Sequence, residues 1–100
     1  MERSANNQVE LDIKHNAAAR RFEATVDKLL ARCDYRMHGN TMMLVHTEVP
    51  PQLEGRGIAS MLVRAAFDHA KESGMDVLPV CSYVGAWTRR HPDVEPMLAR

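Results

Sequence analysis

The stretch Val49-Pro50-Pro51-Gln52-Leu53-Glu54-Gly55-Arg56-Gly57-Ile58-Ala59 holds the residues best suited to chemistry. It leaves an apolar run and opens a helical pattern. A helix start presents unpaired N–H groups and the positive end of the macrodipole, so a phosphate can sit there without a large basic patch. Gly55 and Gly57 remove side chains where a pyrophosphate would press on the backbone, and they permit unusual dihedrals. Ala59 keeps the first helical turn slim, and Arg56 adds one mobile cation. Two further sets of residues have reactive side chains. His46 and Glu48 stand two apart in a strand-like run, so they share a face; they suit either a base and its orienting carboxylate or a satisfied structural pair. Cys81 immediately precedes a short helical pattern. A helix start lowers a thiol pKa toward nucleophilic use, while a small buried hydrophobe is the alternative. Cys33 lies in an early strand, away from these motifs, and reads as packing.

These residues need elements to position them. Val9, Leu11 and Ile13 alternate with Glu10, Asp12 and Lys14, a period of two that predicts a half-buried strand over 9–15. Residues 16–19 turn the chain. Phe22, Ala24 and Val26 mark a strand at 21–26, and Asp27-Lys28 is a polar turn. A third strand spans 29–35, His38-Gly39-Asn40 turns again, and a fourth, most apolar strand spans 41–49. Then Ile58, Met61, Leu62, Ala65, Ala66 and His69 recur at helical spacing, and Gly74 supplies a left-handed stop. A helix is therefore expected over 57–73, a short buried strand at 77–80 and a short helix at 83–90. Pro92 and Pro96 limit the tail to a turn and one helical turn. Tight connections make the first four strands an antiparallel meander, and the helical crossover makes the fifth parallel to the fourth. The fold class is α/β (α+β), a mixed five-stranded sheet. Residues 1–8 form a flexible start and 9–100 a single domain.

Composition narrows the function. One hundred residues bury roughly two thirds of the unfolded chain's surface, enough for a core but not for a deep cavity, so a ligand site must be a groove between elements. The 13 basic and 13 acidic residues cancel, which argues against a dedicated nucleic-acid binder. No apolar run approaches the roughly 20 residues of a membrane helix. The start lacks a secretory pattern, and two cysteines make no disulfide framework, so a cytoplasmic, reduced protein is expected. His15, His38 and His69 have no mutual metal spacing, so no metal site is expected. The seven methionines read as core filler.

The glycine loop alone leaves three readings open: a plain helix start, a dinucleotide-binding turn, and an acyl-coenzyme A pyrophosphate cradle. The second fails where Ser60 replaces the third glycine and where Asp76 precedes the next strand instead of ending it. The surroundings favour the third. Glu54-Gly55-Arg56-Gly57-Ile58-Ala59 resembles the GNAT coenzyme A signature Gln/Arg-x-x-Gly-x-Gly/Ala. His46-Thr47-Glu48-Val49-Pro50, then Pro79-x-Cys81-Ser82-Tyr83-Val84, then Arg90-His91-Pro92 resemble the short, single-domain YjdJ-type branch of that superfamily. The resemblance covers nearly the whole chain, about residues 15–92. Glu54 departs from the signature, and an acid facing a pyrophosphate repels it, so its side chain is expected to point away while its backbone serves.

The resemblance implies acetyl-coenzyme A as cosubstrate and N-acetyl transfer to an amine, with a non-catalytic acetyl-coenzyme A-binding module or sensor as the alternative. It implies a cleft where the fourth and fifth strands splay, between residues 41–49 and 77–80. Pro50-Pro51 ends pairing there. Backbone groups from Thr47 to Val49 would bond the pantetheine arm, and residues 54–59 would hold the pyrophosphate. Cys81 would lie by the thioester, as acetyl acceptor or as hydrogen-bond partner of the coenzyme A sulfur. Tyr83 would donate its hydroxyl to the departing thiolate, or pack on the sheet. Arg89, Arg90 and His91 form a basic cluster that suits phosphates, the acceptor, or simply a helix end. The acceptor side is expected to be shallow and open, fitting an exposed protein amine or a polyamine-like molecule. The chain would be a monomer or weak homodimer, paired through its first-strand edge.

Overall fold

Short alternating runs joined by tight turns pair with their sequence neighbours, and this chain follows that rule. The computed structural model describes residues 11–99. The flexible start expected at 1–8, and the first two residues of the strand expected at 9–15, lie outside the described residues. Five strands form one sheet in the order β1-β2-β3-β4-β5: Lys14–Asn16, Arg21–Val26, Leu29–His38, Thr41–Glu48 and Asp76–Pro79. The first four pair antiparallel, and β5 pairs parallel to β4. Helix α1, Ile58–Ser73, is the crossover, and helix α2, Ser82–Arg89, follows β5.

The differences from the sequence reading have local causes. β1 begins only at Lys14; Leu11 and Ile13 are half-buried and pack on the core without joining the ladder. Asn16, expected in the turn, ends β1, and its Oδ1 accepts the Ala19 N–H at 3.1 Å to shape the turn that follows. β3 runs on to His38, past the expected end at Tyr35, because Met37 and His38 pair with Met42 and Thr41. The tail makes a longer 3-10 turn, Pro92–Met97, than one helical turn. Leu98 then bridges to Val77, and the Ala99 N–H donates to the Val77 carbonyl at 2.8 Å, which covers part of the β5 edge.

α1 ends as its sequence predicts: Gly74 sits at φ 70°, and the Met75 N–H reaches back to the Ala70 carbonyl at 2.8 Å. Its buried face, however, is rotated from the expected stripe. Ile58, Leu62, Val63, Ala66, Phe67 and Ala70 are buried, while Met61, Ala65 and His69 lie at the margin. The cause is α2. Trp87, fully buried, stacks on Phe67 with centroids 5.3 Å apart, so α1 must pack on a helix as well as on the sheet. The sheet's share of the core is Phe22, Ala24, Ala31, Cys33, Tyr35, Met42, Leu44 and Val77.

One irregularity in the ladder matters more than the rest. Tyr35 pairs with Leu44, but Asp34 pairs with His46. Val45 is thus the extra residue of a β-bulge. Side chains otherwise alternate strictly, so the bulge inverts their parity from that point on. Met42 and Leu44 point into the core, and beyond the bulge it is Thr47 that turns inward, opposite the buried Cys33. His46 and Glu48 turn to the other face.

The β2–β3 hairpin carries a backbone cost. Asp27 and Lys28 both adopt positive φ, at 53° and 67°, in a two-residue loop between Val26 and Leu29. This is the mirror-image turn geometry that glycine accepts most readily. Replacing Lys28 by glycine relieves a left-handed conformation that costs a β-carbon-bearing residue about 1 kcal/mol, partly offset by unfolded-chain entropy. Urea denaturation of Lys28→Gly is expected to show a gain of a few tenths to about 1 kcal/mol; a loss would contradict the strain.

Candidate functional site

The site is built where β4 and β5 separate. Their pairing runs from Thr41 with Asp76 to Leu44 with Pro79 and stops. The Leu44 carbonyl then accepts two donors at once, the Val80 N–H at 3.1 Å and the Cys81 N–H at 2.9 Å. Pro79 itself has no N–H to offer. β4 therefore continues to Glu48 without a β5 partner, while the chain after Cys81 turns into α2.

Into this gap opens the start of α1. Pro51–Leu53 forms a single 3-10 turn whose Leu53 plugs the core. Gly55 at φ 85° and Gly57 at φ 76° then swing the backbone into the helix; both are left-handed positions where a β-carbon is strained. Gly57 is the N-cap. No side chain caps the helix, and its first turn carries no acid. The first N–H groups have no intrahelical acceptor, so they remain available to an anion. The Glu54 N–H is not among them: it donates to the Pro51 carbonyl at 3.2 Å, while Glu54 itself lines the cleft. Arg56 is held at 3.7 Å from Asp27 of the β2–β3 hairpin, both side chains well exposed. Such a contact contributes little and leaves the cation free to move.

A cleft of about 220 Å³ lies here, lined by Val49, Leu53, Glu54, Gly55, residues 57–60 and Tyr83, with Arg56 left out of the lining. Its walls are tied together by Ser60, whose hydroxyl accepts the Trp87 indole N–H at 2.8 Å. Trp87 in turn sits beneath Arg64, 4.9 Å from its ring, and His91, stacked at 3.8 Å. His91 Nδ1–H donates to the Trp87 carbonyl at 2.7 Å, and Arg64 pairs with Asp93 at 2.7 Å. His91 is therefore a clamp on α2, while Arg89 and Arg90 stay exposed.

The sulfur of Cys81, at the N-cap of α2, lies 3.7 Å from the Thr47 hydroxyl. Burial pushes the Cys81 thiol up, but the Val84 N–H, the Thr47 hydroxyl, the Tyr83 N–H and the Thr47 N–H together pull it below its ordinary value. Tyr83 is half-buried, and burial raises its phenol despite the pull of Arg90, so it stays a donor at neutral pH. Cys33, which the sequence places away from every motif, is close to this group: the Thr47 hydroxyl lies 3.9 Å from its sulfur. Burial pushes the Cys33 thiol up to about 12.

His46 and Glu48 do pair, Nε2 to Oε1 at 3.2 Å. The bulge puts them on the face opposite Thr47, where Arg32 bridges Glu48 and Asp34, each at 3.2 Å. Both are more than half exposed. The structure thus gathers Val49, Glu54, Gly55, Gly57, Ile58, Ala59 and Tyr83 around one cleft, holds Thr47 and Cys81 together where β5 leaves β4, turns Arg56 toward Asp27, and sets His46 and Glu48 on the other face. Sequence reasoning missed Ser60, Trp87 and Cys33 as neighbours of the site. The first two answer a donor–acceptor match 27 residues apart, and the third follows only from the bulge register.

The comparisons agree with this geometry. The GCN5-related N-acetyl-transferase family profile matches residues 21–97. The chain is 32% identical to Protein NATD1 of Xenopus tropicalis over 92 residues, spanning 92% of this chain and 84% of that one. It is 30% identical to Protein NATD1 of Gallus gallus over 92 residues, spanning 92% and 83%. The NMR solution structure of a GCN5-like protein from Staphylococcus aureus, described as a candidate N-acetyltransferase, superposes with a TM-score of 0.72 at 25% identity, covering 89% of this chain and 88% of that one. A mixed sheet split between β4 and β5, with a glycine-opened helix at the split, is the GNAT arrangement. The chain belongs to the GCN5-related N-acetyltransferase family. Among the described residues, no helix is long and apolar enough to cross a membrane.

Two histidines far apart in sequence also meet, on another part of the sheet. His15 stacks on Phe22 at 4.3 Å, meets His69 edge-on at 4.4 Å and shares a 2.7 Å hydrogen bond with Tyr35. Burial, then the charge of His69, lowers the His15 pKa. A lowered histidine contributes stability that is present above its unfolded value near 6.5 and is lost as pH falls through the folded value. Stability is expected to drop as pH falls from 7 to 5, with a shallower slope in His15→Phe. An equal slope in both proteins would contradict this assignment.

Proposed function

We propose that the protein binds acetyl-coenzyme A in the gap between β4 and the start of α1, and transfers the acetyl group to an amine. The observation that carries this reading is the uncapped, acid-free N-terminus of α1, opened by two left-handed glycines beside a strand that has lost its partner. The donor set fits the cosubstrate. The N–H groups of the first turn suit a pyrophosphate, and Arg56 adds a positive charge at the rim. The stretch from Thr47 to Val49 lies beyond the last β5 partner of β4 and suits the amide-bearing pantetheine arm; its Thr47 N–H already reaches the Cys81 sulfur, so the arm bonds the remaining backbone groups. Acetyl-coenzyme A supplies an activated acetyl thioester. The chain's own residues orient it and manage protons: Tyr83 keeps its hydroxyl proton at neutral pH and can give it to a departing thiolate, and Cys81 lies beside it with a thiol pulled below its ordinary value by neighbouring donors. The acceptor we favour is an exposed amine of a protein or a polyamine-like molecule, because the cleft is small and its sides are open. The cytoplasm suits both free thiols.

A second reading is a module that holds acetyl-coenzyme A without turnover. The placement of His46 and Glu48 favours it, since the histidine and carboxylate best suited to act as base face away from Thr47.

Two variants test these readings. Ala59→Glu places a carboxylate in the first turn of α1, where it suits the dipole and leaves the fold intact, yet it repels a pyrophosphate. Calorimetric titration is expected to show saturable acetyl-coenzyme A binding to the wild type and at least about tenfold weaker binding to Ala59→Glu. Equal affinities would remove the cradle. Cys81→Ala is expected to keep binding while amine-dependent release of free coenzyme A falls about a hundredfold. Tight binding with no release from any amine, in wild type as in variant, would establish the module instead.

A further inference from the structure

Thr47 offers a single hydroxyl to two sulfurs. Its Oγ1 lies 3.7 Å from Cys81 Sγ and 3.9 Å from Cys33 Sγ. Cys33 is fully buried, in register with Thr47 across the β3–β4 ladder, and Cys81 reaches the same hydroxyl from the start of α2. The β-bulge at Val45 is what turns Thr47 inward between them. A hydroxyl has one proton to donate and two lone pairs to accept with, so it can donate to one sulfur at a time.

With both thiols protonated, the chain runs from the Cys81 S–H to the Thr47 oxygen and from the Thr47 O–H to Cys33. A thiolate at Cys81 can only accept. The Thr47 O–H must then turn toward Cys81, and the freed lone pair of Thr47 faces Cys33. Cys33 has a proton to fill that place, because burial keeps its thiol neutral up to about 12. The chain reverses by rotation of two X–H bonds, with no proton passing between residues and no bond to carbon changed.

We propose that Thr47 and Cys33 are positioning residues for Cys81, forming a reversible hydrogen-bond relay in which the Thr47 hydroxyl turns to donate to the Cys81 sulfur when that sulfur is a thiolate. Cys33 then acts beyond filling the core: it is the terminal donor of the relay. The other titratable groups acting on these sulfurs are Tyr83, with Arg90 beside it, and Asp34, next to Cys33 in β3; all remain in place in every variant below. The backbone N–H groups of Val84, Tyr83 and Thr47 act on the Cys81 sulfur independently of the Thr47 hydroxyl and are kept in every variant below. This inference rests on the reading of Cys81 as the reactive thiol of the site, but not on any ligand being bound.

The test is titration of the Cys81 thiolate by its ultraviolet absorbance in the free protein, with Cys81→Ser as baseline. Thr47→Val is expected to raise the Cys81 pKa by about one pH unit, because a hydrogen bond to a charged group is lost. Thr47→Ser, which keeps the hydroxyl, is expected to titrate near the wild type. Cys33→Ala is expected to raise the pKa by less than Thr47→Val, and Cys33→Ser to restore it. The decisive result is coupling: in the Thr47→Val background, Cys33→Ala is expected to add nothing. An unshifted titration in Thr47→Val, or an equal effect of Cys33→Ala in both backgrounds, overturns the relay. Failure here is distinct from failure of the proposed function. Shifted titrations without acetyl-coenzyme A binding leave the relay and remove the ligand, and binding with unshifted titrations does the reverse.

Discussion

The register change at Val45 governs the arrangement of the site. A strand fixes which side of a sheet each residue faces, and one extra residue reverses that for everything after it. Without the bulge, His46 and Glu48 would face the helices, and Thr47 would face away. With it, Thr47 joins Cys33 and Cys81 on the helix side, and the charged pair moves to the opposite face with Arg32 and Asp34. The same stretch of β4 is where β5 departs. Leu44 spends its carbonyl on both Val80 and Cys81, and the next residue of β4 is the bulge itself. The irregularity thus decides which β4 side chains face the helices at the point where β5 leaves.

The charge of the chain fits this economy. A protein with equal numbers of acids and bases has no basic surplus to attract a polyanion at long range. The start of α1 supplies the attraction from backbone dipoles instead, which operate at short range and need no net charge. For that to work the helix must begin bare. Gly57 in place of Ser, Thr, Asp or Asn leaves the first N–H groups unclaimed, at a cost in helix stability of a few tenths of a kcal/mol. Compensation comes from packing elsewhere: the Ser60 hydroxyl is fixed by Trp87, and Trp87 is clamped by Phe67, Arg64 and His91. The residues that stiffen the cleft are therefore different from those that face a ligand.

Much of this was legible in the sequence. The alternation at Phe22, Ala24 and Val26, the turn at Gly39-Asn40 and the stop at Gly74 define strands and helix ends by local rules, and the crossover fixes β5 parallel to β4. The glycine loop and Cys81 were visible as residue types at a strand-to-helix junction. What stayed hidden depends on register or on distant partners. The bulge leaves no mark in composition, so Cys33 read as remote although it is one hydroxyl away from Cys81. The true buried face of α1 depends on Trp87, 20 residues beyond Phe67, and no periodicity within the helix reveals that. The meeting of His15 with His69 is likewise a product of the folded sheet.

The most direct measurement of the central claim is a map of backbone amide shifts by heteronuclear NMR as acetyl-coenzyme A is added to the protein. The largest changes are expected at Gly55, Gly57, Ile58 and Ala59, with a second set at Thr47 to Val49 and Cys81, and little change around His15 and Phe22. Saturable shifts centred anywhere else, or no shifts at all, would contradict a coenzyme site at the mouth of α1.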